Sequence, residues 1–357
     1  MTWSSTSTRI TSLFGIDLPV LLGPFGGMSS VGLAAAVSNA GGLGSYGLYG
    51  YTAGRIRETA AQLAAATDRP IALNLWLPLD GTDEFVEERD LFEHHRAALK
   101  PYFDDLGLPL PDMPDRYLPA FEDQLEATLA ARPAVVSFVF GVPDASVIER
   151  AHTAGSLVVG AATTVAEAVA LEAGGVDAVV ATGMEAGGHR VSFLRPAEES
   201  LVGTFALIPQ VVDAVAIPVI AAGGIADGRG LAAALMLGAD AVQVGSALLA
   251  TEESAAAPAY RAALRGPDAA HTVLTRALSG RLARGIPNRL TREVQPADIA
   301  PFPVQNWLTG QFRPTAAEVG RSELMSLWAG QATPLVQHTH AAEAIADMVQ
   351  TARTLLG

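Results

Sequence analysis

Eight short apolar runs punctuate the chain, at 19–22, 42–45, 71–74, 134–138, 157–160, 178–180, 218–222 and 241–244. They are apolar throughout rather than alternating, which is how a parallel strand covered on both faces reads. Between them lie Gly-rich or polar residues and then Ala-rich stretches with helical spacing. Helices are predicted at 30–40 with Ser29 and Ser30 as cap candidates, at 165–173 behind Thr163 and Thr164, and at 230–237 behind Asp227. Eight strands alternating with helices predict an α/β protein, a (β/α)8 TIM barrel. A doubly wound open sheet is the structural rival. The count of eight, with Gly-rich turns after many strands rather than one, favours the barrel.

Two stretches break the repeat. Residues 79–132 are acidic and Pro-rich, with a helix expected around 84–103 that places Phe85, Leu91, Phe92, Leu99 and Phe103 roughly on one side. Residues 267–335 have no barrel pattern and read as a cap inserted near the C-terminus, over the barrel mouth. The expected division is a barrel over 1–266 carrying the 79–132 insertion, the cap over 267–335, and a closing helix of the barrel within 336–357.

Composition narrows the partners. Half of the 357 residues are apolar and 17% are charged, enough for a large core. The net charge of −14 argues against nucleic acid and anionic membranes, which need a basic face. The absence of cysteine excludes disulfides, thiolate nucleophiles and Cys-bound metal. No secretory signal or membrane span is legible, so a cytoplasmic protein is the expectation. The pairs His94-His95 and His338-x-His340 come without a carboxylate cluster, and no metal is expected.

Chemistry is expected after the strands, where the loops of such a barrel build the site. Gly223-Gly224 and Gly245-Ser246 follow strands seven and eight, each leading into a helix. Such a pair makes a phosphate site from backbone N–H groups and helix N-termini, with glycine permitting close approach. The plainer alternative is that these glycines only ease helix–strand packing. The one lysine, Lys100, is far away in sequence, so amides, the Ser246 hydroxyl and an arginine would hold the phosphate. His189 follows strand six in Thr182-Gly183-Met184-Glu185-Ala186-Gly187-Gly188-His189. At the mouth an imidazole takes a proton or stabilises an anion, and both readings stay open. Glu185 divides evenly between an acid–base group and a backbone anchor.

These residues resemble a known family. GMEAGGH (183–189), GPFGGMS (23–29), ALNLWLP (72–78), the run from AAGGI to QVGS (221–246), SGRLARGIPNR (279–289) and LWAGQATPLV (327–336) look like the nitronate monooxygenases, over almost the whole chain. The resemblance implies a TIM barrel holding FMN noncovalently, with Pro24, Phe25 and Gly26 against the isoalloxazine. It places Gly187, Gly223, Gly224, Gln243, Gly245 and Ser246 around the ribityl phosphate, with Thr163, Thr182 and Gly188 completing the cofactor set. His189 is the implied catalytic residue, and Asn74 orients flavin or substrate. Thr182 and Phe25 depart from the family, which commonly has Gln and Met there. The implied reaction is oxidative denitrification of an alkyl nitronate or nitroalkane with O2, giving a carbonyl compound and nitrite. The alternative is an NAD(P)H-dependent FMN reductase of an enoyl thioester or a quinone, on the same scaffold. A homodimer is a candidate assembly.

Overall fold

The computed structural model describes residues 7–78 and 88–357. Eight parallel strands run in the order of a closed barrel: β1 (Val20–Leu22), β2 (Gly44–Gly47), β3 (Ile71–Trp76), β4 (Val135–Val139), β5 (Leu157–Ala162), β6 (Ala178–Thr182), β8 (Val219–Ala222) and β9 (Ala241–Val244). β9 pairs with β1, and a Leu21–Leu43 bridge closes the ring between β1 and β2. The expected (β/α)8 barrel is what the chain forms.

Apolar residues on both strand faces have a visible cause. One set, including Val20, Leu22, Leu73, Val136, Val179, Val219 and Val242, packs outward against the helices. The alternate set, including Leu21, Ala72, Val135, Val159, Val180, Ile220 and Ala241, fills the barrel interior. The period of two continues to the strand ends. Asn74 and Trp76 on β3, Ser137 on β4, Thr182 on β6 and Gln243 on β9 therefore share the inward register at the mouth. The opposite end is plugged by a short helix, Arg9–Phe14, whose Ile10 and Phe14 join the interior cluster. Arg9 fixes this plug by pairing with Asp240 at 2.7 Å and donating to the Ala216 carbonyl. The N-terminal pattern gave no hint of it.

Helices Val31–Asn39, Val165–Gly174 and Gly228–Met236 start behind Ser30, Thr164 and Asp227, each of which caps a backbone N–H. Phe121–Ala130 packs on helix Ala53–Ala66 and on β3, so it belongs to the barrel wall. The last barrel helix, Ala341–Leu356, comes after the residues that cover the mouth and lies against Gly228–Met236.

The single helix expected over 84–103 is replaced by two, Arg89–Ala98 and Lys100–Asp105. Pro101 in the first turn of the second explains the break, because it cannot continue the preceding helix. Phe92, Leu99 and Phe103 are buried, whereas Leu91 is 51% exposed, because it sits off the face that Phe92, His95 and Leu99 define. Phe85 lies outside the described residues. The buried face joins Leu290, Val304, Leu308, Phe312 and Leu324 in a second apolar core. Asp105 pairs with Arg289 across the same contact. His94 and His95 both turn to Asp298, one to its carboxylate and one to its carbonyl, and so serve docking. Among the described residues no helix is long and apolar enough to cross a membrane.

Candidate functional site

His189 does not stand on a free turn. With Gly188 it forms β7, which pairs antiparallel with β11 (Ala283–Gly285), itself paired with β10 (Val273–Thr275). The loop after β6 is thereby stitched to residues 273–285. Two buried arginines hold it. Arg190, 1% exposed, donates to the carbonyls of Gly183 (2.6 Å), Thr182 (3.1 Å) and Ser200 (3.3 Å). Arg284 donates to the Met184 carbonyl at 2.8 Å. Glu185 is a backbone anchor: both its oxygens accept from the Thr204 amide, and one also accepts the Thr204 hydroxyl at 2.8 Å. Its carboxylate is thus turned to the start of the helix at Thr204.

The glycines of this loop divide by cause. A Cβ at Gly187 would lie 2.6 Å from the backbone of Ala329 and Gly330. Its bareness is therefore demanded by the passing 329–330 segment. Gly188 has φ +80° with nothing nearby, a left-handed turn that sets the direction of His189.

The imidazole sits in an aromatic enclosure. Trp76 lies edge-on at 5.1 Å between centroids, and Trp328 at 5.4 Å. Tyr49, Phe140 and Phe302 stack around Trp76 at 4.3, 4.6 and 5.7 Å. His189 Nε2 is 2.8 Å from the Ser279 hydroxyl. Burial, then the positive charges of Arg281 and Arg313, push its pKa down from 6.5 to about 3, so the ring is neutral at pH 7. Burial lowers both arginines to about 10, and among the described residues neither has a carboxylate partner. Arg281 lies over the Phe140 ring at 4.1 Å, and Arg313 is oriented by Asn306 and Ser326. Asn306 also donates to the Tyr49 hydroxyl at 3.0 Å. The site is a partly buried wall carrying two positive charges that no carboxylate among the described residues matches, which is suited to an anion.

That pKa predicts a pH effect. The unfolded chain takes up a proton below about 6.5 that folded His189 refuses until about 3. Stability from this group is complete above pH 6.5 and is lost as pH falls toward 3. Between pH 7 and pH 5 the loss is on the order of 2 kcal/mol. In thermal melts at the two pH values, His189→Asn should show a smaller acid-induced drop than wild type. Equal drops would mean that the ring titrates normally in the folded protein.

The other expected residues fall into two groups. In the first, the loops after β1, β6, β8 and β9 converge. The loop Pro24-Phe25-Gly26 is pinned by Ser29, whose hydroxyl donates to the Phe25 carbonyl (2.8 Å) and accepts from the Gly47 amide (3.0 Å). Phe25 reaches toward Gly245, where a Cβ would meet its ring at 3.9 Å and nothing else. Ser246 accepts from the Gly330 amide at 2.9 Å, beside Gly187. Gly223 and Gly224 have φ +103° and +71°; the first packs on Thr204, Gly183 and Ala186, the second next to Glu185. The Gln243 side chain points inward and is half-buried. In the second group, a side chain or a backbone carbonyl is already committed to the fold. Asn74 donates to the Ser137 carbonyl and hydroxyl, at 3.1 and 3.0 Å. Thr163 is fully buried, bonded to Glu167 and Ser192, and Thr182 contributes its carbonyl to Arg190.

Sequence reasoning missed Ser29, Arg190, Arg281, Arg284 and Arg313. Four of them lie in or beside quoted motifs, Ser29 at the end of GPFGGMS, Arg190 directly after GMEAGGH, and Arg281 and Arg284 within SGRLARGIPNR. Arginine in a chain with a single lysine is the signal that was available.

Comparison with known proteins agrees with this geometry. Residues 7–351 match the family described as nitronate monooxygenase. A probable nitronate monooxygenase of Staphylococcus saprophyticus is 38% identical over 98% of this chain and 99% of its own. One from Staphylococcus aureus is 39% identical over 94% of each. The crystal structure of nitroalkane oxidase from Streptomyces ansochromogenes superposes with a TM-score of 0.87 at 39% identity, covering 98% of this chain and 99% of that one. FabK from Thermotoga maritima is more distant, with a TM-score of 0.77 at 29% identity over 99% and 98%. The chain belongs to the nitronate monooxygenase family of oxidoreductases.

Proposed function

We propose that this enzyme is an FMN-dependent nitronate monooxygenase that converts alkyl nitronates and O2 to carbonyl compounds and nitrite. The observation that carries the reading is the placing of His189 between Trp76 and Trp328 with its Nε2 at Ser279, near Arg281 and Arg313, which have no carboxylate partner among the described residues. A nitronate is already an anion. The two guanidinium groups attract it, and the imidazole, in the tautomer whose Nε2 accepts the Ser279 hydroxyl, offers its Nδ1–H. A ring with a pKa near 3 is a poor base for a neutral nitroalkane, so the preformed anion is the favoured substrate.

The residues fit an FMN. Gly245 leaves an open cradle next to Phe25, where any larger residue would project into free space. The Ser246 hydroxyl accepts from Gly330 and keeps its own proton available for a phosphate oxygen. Pro24, Phe25 and Gly26 would border the ring system, and Gly223, Gly224, Gly245 and Ser246 the phosphate. Bound FMN would supply the redox chemistry between nitronate and oxygen. The aromatic enclosure excludes water while the chain's own groups hold the substrate.

Two tests follow. Purified protein should be yellow and release FMN, not FAD, on heating. It should form nitrite from an alkyl nitronate with oxygen consumption and without oxidising NADH or NADPH. Colourless protein that ignores added FMN sinks the reading. Separately, Gly245→Val should weaken FMN binding by at least ten-fold, since its Cβ meets no backbone; because φ −103° with ψ −92° is uncommon for a side-chain-bearing residue, a melt of the FMN-free variant checks that the fold is kept. Gly224→Val is the poorer test, because φ +71° would strain any side chain there. Unchanged FMN affinity in Gly245→Val would move the phosphate elsewhere.

A further inference from the structure

Tyr49 carries a proton that nothing in the fold uses. It follows β2, and its ring leans on Trp76 at 4.3 Å between centroids, with Phe302 at 6.1 Å. Trp76 in turn meets the His189 ring edge-on. The Tyr49 hydroxyl is held by Asn306, on helix Val304–Gly310. A third residue fixes the polarity of that contact. Arg313 donates to Asn306 Oδ1 at 3.1 Å and to the Asn306 carbonyl at 3.0 Å, and a guanidinium can only donate. The amide oxygen therefore faces Arg313, and the amide nitrogen faces Tyr49, to which it donates at 3.0 Å. Arg313 is locked in turn, because its other terminal nitrogen donates to the Ser326 hydroxyl at 2.6 Å. Tyr49 is thus obliged to accept, and its own O–H has no acceptor among the described residues. Burial pushes its pKa up, against the pull of Asn306, Arg313 and Arg281, so the proton stays on at neutral pH.

We propose that Tyr49 is a substrate-binding residue whose O–H donates to an oxygen of the nitronate, as the last link of a donor chain running Arg313, Asn306, Tyr49. The inference rests on the nitronate reading and adds a residue that lies outside every motif quoted for the family. An unspent O–H among aromatic rings gains more from an anionic oxygen than from a neutral one. Each link strengthens the next, because a hydroxyl whose oxygen already accepts a hydrogen bond has a more polarised O–H. The charges of Arg281 and Arg313 act on the Tyr49 hydroxyl as they act on His189, so both donors stand in the field that draws the anion in. A nitronate carries its charge before any electron leaves it. Tyr49 therefore acts on binding rather than on the chemical step.

Acetate is a planar oxyanion that mimics the nitronate head without reacting. It is titrated by calorimetry onto FMN-loaded wild type, Tyr49→Phe, Asn306→Asp and the double variant, and turnover of ethyl nitronate is measured on the same four proteins. Tyr49→Phe removes one oxygen and keeps the ring. It should weaken acetate about 10–100-fold, the range for a hydrogen bond to a charged group. With ethyl nitronate the loss should fall on KM, with kcat kept within about three-fold. Asn306→Asp replaces the donor facing Tyr49 by an acceptor, so the tyrosine donates to the new carboxylate instead of the ligand. In that background Tyr49→Phe should change neither acetate affinity nor kcat/KM. Tyr51→Phe, whose hydroxyl is already engaged by Arg55 and Tyr46, should leave acetate binding as in wild type. The proposal is overturned by wild type that binds no acetate, by equal affinity in wild type and Tyr49→Phe, by a loss confined to kcat, by the same loss in both backgrounds, or by a matching loss in Tyr51→Phe. Acetate weakened by Tyr49→Phe alone, with no nitronate turned over, leaves the donor standing and removes the nitronate reading. Ethyl nitronate turned over equally well by wild type and Tyr49→Phe does the opposite.

Discussion

His189→Asn should lower kcat/KM for a preformed alkyl nitronate by roughly 10²–10³-fold while FMN stays bound. The argument starts from charge. The ring sits among Trp76, Trp328 and two guanidinium groups, and its pKa of about 3 keeps it neutral. A neutral imidazole contributes one directed N–H, and the loss of one such donor in a water-poor site has that cost. Asn has a shorter reach and cannot span to Ser279 and the substrate together. Its amide is not expected to disturb the Gly245–Ser246 cradle, where His189 has no contact in the structure. Flavin content and the melting temperature at pH 7 should therefore hold.

The same variant distinguishes the two chemistries that the sequence left open. A general base matters only for the neutral nitroalkane, because the nitronate has already lost its proton. If His189 were a base, the nitroalkane would suffer by roughly 10²–10⁴-fold and the nitronate hardly at all. The arginines argue the other way, since a protonated ring beside them is penalised. An anion bound between Arg281 and Arg313 would relieve that penalty and raise the pKa of His189, so the ring and the substrate charge are coupled. Nitrite formation from both forms of one compound, at matched FMN content, decides the matter. A variant that keeps full activity on both would leave His189 as a member of β7 and no more.

The barrel was legible because its strands are apolar on both faces, a pattern that only a fully covered parallel sheet produces. Helix starts were legible where a capping side chain announced them, as at Ser30, Thr164 and Asp227. The place of His189 was legible too, since it follows a strand whose end must lie at the mouth. Its surroundings were not. Two flanking glycines carry no sign of cover, yet the chain supplies it from about 90 residues downstream through β11 and Ser279. Such pairings depend on the path of the cap, which carries no period. Leu91 failed for a related reason: an apolar residue near a helical stripe need not be on it, and the break at Pro101 shortened the stripe. The resemblance places Gly187 beside the phosphate, and the structure adds a packing cause for its bareness, the backbone passing at Ala329–Gly330. No one-dimensional pattern separates those two uses of glycine.

Arg190→Met should be the most damaging single change for folding. The guanidinium is 1% exposed and gathers three carbonyls from two segments, Thr182 and Gly183 on one side and Ser200 on the other. Met fills similar volume but leaves those acceptors without donors, at about 1–3 kcal/mol each. Part of that is returned, because the charge itself is uncomfortable there: burial and then Arg284 lower its pKa to about 10, and its Nε finds no partner. The net loss should be about 3–5 kcal/mol. Arg190→Lys should not rescue it, since one ammonium cannot present a planar fork to carbonyls on both sides. The consequence for function is geometric. Arg190 directly follows β7, so releasing it frees Gly183 through His189 from the barrel end while β11 still holds the ring from above. Chemical denaturation of FMN-free and FMN-loaded protein, with urea midpoints compared for wild type, Arg190→Met and Arg190→Lys, measures both effects. Midpoints unchanged in both variants would show that the carbonyls find other donors and that Arg190 does not anchor the loop.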